Sequence, residues 1–152
     1  MKKILVALDS GDTCQRVFDQ ASEIAQAVQA KVNLLSVLNL DSDAGFAFSP
    51  YAGRDWQAYA EKYQSVETAS VKLLEGFADR AKAAGLDTEY TYEPGSPGSV
   101  ICKLAKAWGA DLVIVGSHGR KGFSEMLLGS VSNYVVHHAP CSVMVIHGPT
   151  TQ

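Results

Sequence analysis

Apolar residues fall along the chain in two alternating patterns. Ile4 to Leu8 is a continuous apolar run, which predicts a strand buried on both faces. Val32 to Leu38, Leu112 to Val115 and Val143 to Ile146 read the same way, and Thr88 to Tyr92 alternates like a strand nearer a sheet edge. Between these runs the period changes. Val17, Phe18, Ala21, Ile24, Ala25 and Val28 recur at helical spacing, with Asp12 as the expected N-cap and Gln15 completing a capping box. A second helix is predicted from Trp56 to Ala84, with Val66, Leu73, Phe77 and Ala81 inward and Gly85 as its stop. Gly95-Ser96-Pro97 supplies a turn, a cap and a proline at the first helical position. The helix that follows turns Ile101, Leu104, Ala105 and Trp108 to the core, and a last helix is expected over Glu125 to His137.

Strands that alternate with helices call for parallel pairing through right-handed crossovers. The expected fold is α/β: a doubly wound, five-stranded parallel sheet with helices on both faces. Residues 39–55, rich in Asp, Gly, Ser, Pro and aromatics, read as a long surface loop. The chain shows no repeat or low-complexity tract, so a single domain over 1–147 with a tail over 148–152 is expected.

Composition narrows the function classes. The 152 residues are 47% apolar and 19% charged, a balance that folds. A net charge of −3 gives no general attraction to nucleic acid, so an anion would need a local site. No apolar run approaches the roughly 20 residues that span a bilayer. Lys2-Lys3 followed by an apolar run resembles a signal peptide, but the run ends at Asp9 without a cleavage site and reads as a strand. Cys14, Cys102 and Cys141 are odd in number and widely spaced, which suggests reduced thiols in the cytoplasm, with Cys102 in packing.

In an open parallel sheet, ligands bind beyond the carboxyl ends of the strands where connections diverge. That rule selects Asp9, Val37 and Gly116. Glycines at 116 and 119 allow tight turning and close backbone approach, and amides of such a loop and of a helix start suit an anion. Ser130 and Ser132 add hydroxyls, and Arg120 and Lys121 add charge. The same spacing also serves as a plain turn. His118, His137, His138 and His147 do not make a metal site by spacing, because adjacent histidines on a helix diverge by about 100°. Gly116-Ser117-His118-Gly119 is not a nucleophile elbow, and no Walker loop is present.

Gly116-x-x-Gly119, nine residues, then Gly129-Ser130 matches the nucleotide-binding signature of ATP-binding universal stress proteins. Val115 to Arg120, Leu127 to Val131, Ala139-Pro140-Cys141, Ile4 to Asp9 and Asp111 to Gly116 resemble that family nearly throughout the chain. The resemblance implies a Rossmann-like fold of the adenine nucleotide alpha hydrolase-like kind and a defined pocket. Leu8 and Asp9 would lie at the ribose and Val37 at the adenine. Val115, Gly116 and Gly119 would line ribose and phosphates, with His118 and Arg120 nearby. Gly129, Ser130, Val131 and Ser132 would receive phosphates, and Mg²⁺ or Mn²⁺ would be held mainly through the phosphates. It also implies a homodimer through Val143 to Ile146, although Ser142 stands where many relatives have proline. Three functions stay open: a nucleotide-dependent regulatory homodimer in the stress response, a slow ATP hydrolase with His118 as its candidate base, and a dimerising interaction protein that takes another adenine nucleotide such as AMP or cyclic AMP.

Overall fold

The computed structural model describes residues 1–9, 11, 13–39, 56–117 and 128–148. Five strands form one parallel sheet: β1 (Lys3–Ala7), β2 (Lys31–Leu38), β3 (Thr88–Pro94), β4 (Leu112–Gly116) and β5 (Ser142–Ile146). Their order is β3-β2-β1-β4-β5. The chain therefore winds one way from β1 to β3, then crosses back over β1 and winds the other way. The helices are α1 (Cys14–Val28), α2 (Trp56–Ala83), α3 (Pro97–Trp108) and α4 (Ser130–His138).

Strand residues alternate between two buried layers, as the two-residue period requires. Ile4, Val6, Leu34, Leu112 and Ile114 pack on one face with Val17, Phe18, Ala21 and Ala25 of α1 and Leu74, Phe77 and Ala81 of α2. Leu5, Leu35, Val113 and Val115 pack on the other with Ile101 and Ala105 of α3 and Val135 of α4. On the first face the Phe18 and Phe77 rings meet edge-on at 4.7 Å, and the Arg80 guanidinium lies over both, at 4.9 and 5.5 Å. On the second face the Tyr134 ring lies against Gly98. A methyl group there would sit 2.7 Å from Tyr134 Cδ1, so glycine lets α3 and α4 approach closely.

Several helix expectations are corrected. The N-cap of α1 is Thr13, not Asp12, and it makes no side-chain cap hydrogen bond; Asp12 itself lies outside the described residues. Gln15 is then the second helical residue, one short of the reach a capping box needs. Its amide instead donates to Asp19 at 2.8 Å and its carbonyl accepts from Arg80 at 2.9 Å. Val28 is 43% exposed, because α1 outruns the sheet at its last turn. In α2 the inner face begins at Leu74, with Leu73 and Val66 only half-buried. The first half of this helix extends past the core, and Trp56 is 73% exposed. Leu104 and Trp108 of α3 are half-buried against the second layer. The last helix starts at Ser130 and ends at His138, with Gly129 as its cap in extended backbone; 125–127 and the loop 40–55 lie outside the described residues. At the amino end of the sheet, Asp111 accepts from the Lys2 and Lys3 amides at 2.8 and 3.0 Å, and these bonds lower its pKa.

Candidate functional site

The winding direction reverses between β1 and β4, so the crevice of this fold opens at their carboxyl ends. The pairing Val6↔Ile114 and Ala7↔Leu35, continued two or three residues, puts Asp9 level with Val37 and Ser117. The ladders do continue: the Leu8 amide donates to Leu35 at 2.8 Å, and the Ser117 amide donates to Ile146 at 2.8 Å. Three of the positions expected from sequence, Asp9, Val37 and Gly116, thus share one end of three adjacent strands.

Each has a distinct environment. Leu8 is buried in the α1 layer and Val115 in the α3/α4 layer, with Val37 and Val131 half-buried beside the latter. Asp9 is exposed, and its Oδ1 accepts the Gly11 amide at 2.8 Å. That leaves the other carboxylate oxygen free of this turn. A carboxylate repels phosphate but accepts hydrogen bonds from hydroxyls. Burial, then the Asp9 charge, pushes the Cys14 thiol up from 9.0 to about 11, against a smaller opposing hydrogen bond from the Asp9 backbone.

Gly116 also has a packing role. A methyl group at this position would lie 2.9 Å from Thr13 Oγ1 and 3.2 Å from Val17 Cγ2. Its missing side chain therefore makes room for α1. Thr13, 7% exposed, packs beneath the end of β4, a contact that the sequence pattern does not reveal.

α4 leads into the amino end of β5 on the α3 side of the sheet, so its own start lies at the carboxyl end. Gly129 is a buried N-cap with φ −64° and ψ 164°, and the amides of Ser130, Val131 and Ser132 have no intrahelical acceptor. They bring the partial positive end of the helix to this end of the sheet. The Ser130 side chain is exposed. Ser132 is 1% exposed and donates its hydroxyl to the Gly129 carbonyl at 3.1 Å, an oxygen that also accepts the Asn133 amide at 2.9 Å. Ser132 thus fixes the helix start, while Ser130 keeps an available hydroxyl. His118, Gly119 and Arg120 lie outside the described residues. Among the described residues no three His, Cys, Asp or Glu side chains converge on a metal position, and no helix is long and apolar enough to cross a membrane.

Comparison with known proteins agrees with this arrangement. The sequence profile of the universal stress protein family matches residues 1–147. Universal stress protein Sll1388 of Synechocystis is 32% identical over 148 residues, covering 95% of this chain and 96% of that protein. Among solved structures, universal stress protein UspA from Lactobacillus plantarum superposes with a TM-score of 0.78 at 28% identity, over 95% of this chain and 97% of that one. A universal stress protein family protein from Arabidopsis thaliana, solved with AMP bound, gives 0.69 at 28% identity, over 99% and 94%. A five-stranded sheet wound both ways from β1, with the matching profile along it, places this chain in the universal stress protein family.

Proposed function

We propose that this protein binds ATP in the crevice between β1 and β4 and acts as a nucleotide-dependent regulatory homodimer in the stress response. The observation that supports this reading is that the switch point and the start of α4 share the carboxyl end of the sheet. That end carries the Asp9 carboxylate and the open amides of α4. The first suits ribose hydroxyls and the second suits phosphates. The apolar side of Val37, level with Asp9, is the place for adenine, and Leu8, Val115, Gly116 and Val131 form the packed floor. Gly129, Ser130 and Ser132 present the phosphate wall, with His118, Gly119 and Arg120 assigned to the same end by the glycine signature. Mg²⁺ or Mn²⁺ would take its ligands from phosphate and water, because a lone carboxylate is a poor set for a hard cation.

The dimer would form through Val143 to Ile146. β5 is the last strand of the sheet, and Val143, Met144 and Val145 are only half-buried in the single chain, an apolar edge that pairing would cover. The other edge, β3, carries Glu89, Glu93 and Pro94, which discourage pairing. Unpaired Cys14, Cys102 and Cys141 fit a reducing cytoplasm, and residues 1–147 would be the working unit.

The bound AMP of the Arabidopsis relative supports a second reading, a site that takes another adenine nucleotide. Melting curves with Mg²⁺-ATP, ADP, AMP and cyclic AMP separate the two. A nucleotide at a hundred times its dissociation constant adds about 2.7 kcal/mol, or about 5–10 °C for a chain of this size. The largest shift is expected with ATP, and it should shrink in Asp9→Asn. A larger shift with AMP would select the second reading, and no shift with any nucleotide would refute both.

A further inference from the structure

Thr13 is buried although it precedes its helix and carries a hydroxyl. Its side chain stands between two strand exits. A methyl group on Gly116, at the end of β4, would lie 2.9 Å from Thr13 Oγ1; one on Gly148, just past β5, would lie 2.8 Å from Thr13 Cγ2. Both distances are shorter than non-bonded carbon tolerates, so both backbones rest directly on this one residue, each against a different atom. The Thr13 carbonyl accepts the Val17 amide at 2.9 Å, which anchors the residue to α1. The two exits are joined beside it by the hydrogen bond from Ser117 to Ile146.

We propose that Thr13 is a positioning residue that links the nucleotide crevice to the exit of β5. The inference rests on the reading of the crevice as an adenine-nucleotide site. A shift at Gly148, which is not among the residues assigned to the ligand, passes through Thr13 to Gly116 in the crevice floor. By linkage, a nucleotide that fixes Gly116 biases the end of β5 by the same free energy. The edge strand proposed for the dimer is thereby coupled to nucleotide occupancy through a single packed side chain.

The test exchanges one methyl group across the contact. Gly148→Ala adds a methyl where Thr13 Cγ2 stands, and Thr13→Ser removes that methyl but keeps the hydroxyl at Gly116. Each variant and the double variant are titrated, as full chains, with a methylanthraniloyl derivative of ATP and Mg²⁺, and melted without nucleotide. An overpacking strain of the usual size predicts about tenfold weaker binding for Gly148→Ala. The double variant should return to within about threefold of the native chain. Native affinity in Gly148→Ala, or a double variant as weak as Gly148→Ala with both folded, overturns the proposal. If the native chain binds no nucleotide, the crevice reading falls and the linkage with it; if it binds and Gly148→Ala is unchanged, the linkage alone falls. Should Gly148→Ala not fold, Thr13→Ala takes its place. It removes both contacts and should weaken binding by at least about threefold, and native affinity there also overturns the proposal.

Discussion

Gly116→Ala separates a packing role from a ligand role at the glycine signature. The added methyl meets Thr13 Oγ1 at 2.9 Å and Val17 Cγ2 at 3.2 Å. Neither neighbour has room to retreat. Val17 is 2% exposed, and Thr13 is 7% exposed with its carbonyl bonded into α1. Relief must come from a displacement of α1 off β4, and overpacking of this kind costs about 1–3 kcal/mol. For a chain of 152 residues that corresponds to a melting point lowered by about 3–10 °C without any nucleotide. Circular dichroism melts of the native chain, Gly116→Ala, Thr13→Ala and the double variant measure it. The double variant should show a favourable coupling of about 1 kcal/mol, because the closest colliding atom is gone. If Gly116→Ala melts with the native chain and loses only nucleotide affinity, the glycine serves ligand approach and the packing account is wrong.

Two further perturbations probe the first turns of α1. The Cys14 thiol is pushed up from 9.0 to about 11, so the folded state favours the neutral thiol; that contribution is complete below pH 9 and fades as pH rises towards 11. The native chain should lose stability relative to Cys14→Ala across that window, read from urea midpoints, and parallel curves would refute it. Arg80→Ala removes the guanidinium from the Phe18 and Phe77 rings and from Gln15. The ion pair with Asp19 is half-exposed and adds little, so the expected loss is about 1 kcal/mol, mostly from the rings. Arg80→Lys should fail to restore it, and full recovery of the urea midpoint by lysine would contradict the stacking explanation.

The sheet was legible because its strands are buried on both faces, and unbroken apolar runs such as Ile4 to Leu8 announce that directly. Alternation and crossover handedness imply a parallel sheet, while the order β3-β2-β1-β4-β5 is read from the structure. Helix ends were less legible. Asp12 and Thr13 are both acceptable caps by type, and the choice fell to the contact of Thr13 with Gly116 and Gly148, a tertiary fact that no local pattern carries. The start of α4 was placed too early because 125–128 continue an apolar helical spacing. Leu74 was passed over for Leu73 because a long helix with only one buried half has a weak periodicity. Position alone brings Asp9, Val37 and Gly116 to the same end of three adjacent strands. The packing of Gly116 against α1 is not legible, since a glycine needed by a neighbouring helix and one needed by a ligand look identical in sequence. The hydrogen bond from the Ser132 hydroxyl to the Gly129 carbonyl is likewise not legible in sequence.

Ser130→Pro addresses the crevice most directly. Ser130 is the first residue of α4, and Gly129 before it is already extended. Proline is therefore tolerated there and removes one amide and the exposed hydroxyl. Isothermal titration with Mg²⁺-ATP on the native chain and on this variant is the decisive measurement. Saturable one-site binding in the native chain, weakened about tenfold or more in Ser130→Pro with an unchanged melting point, is the predicted result. Equal affinity in both chains would contradict the assignment of the α4 start as the phosphate wall, and no heat of binding in the native chain would contradict the nucleotide site itself.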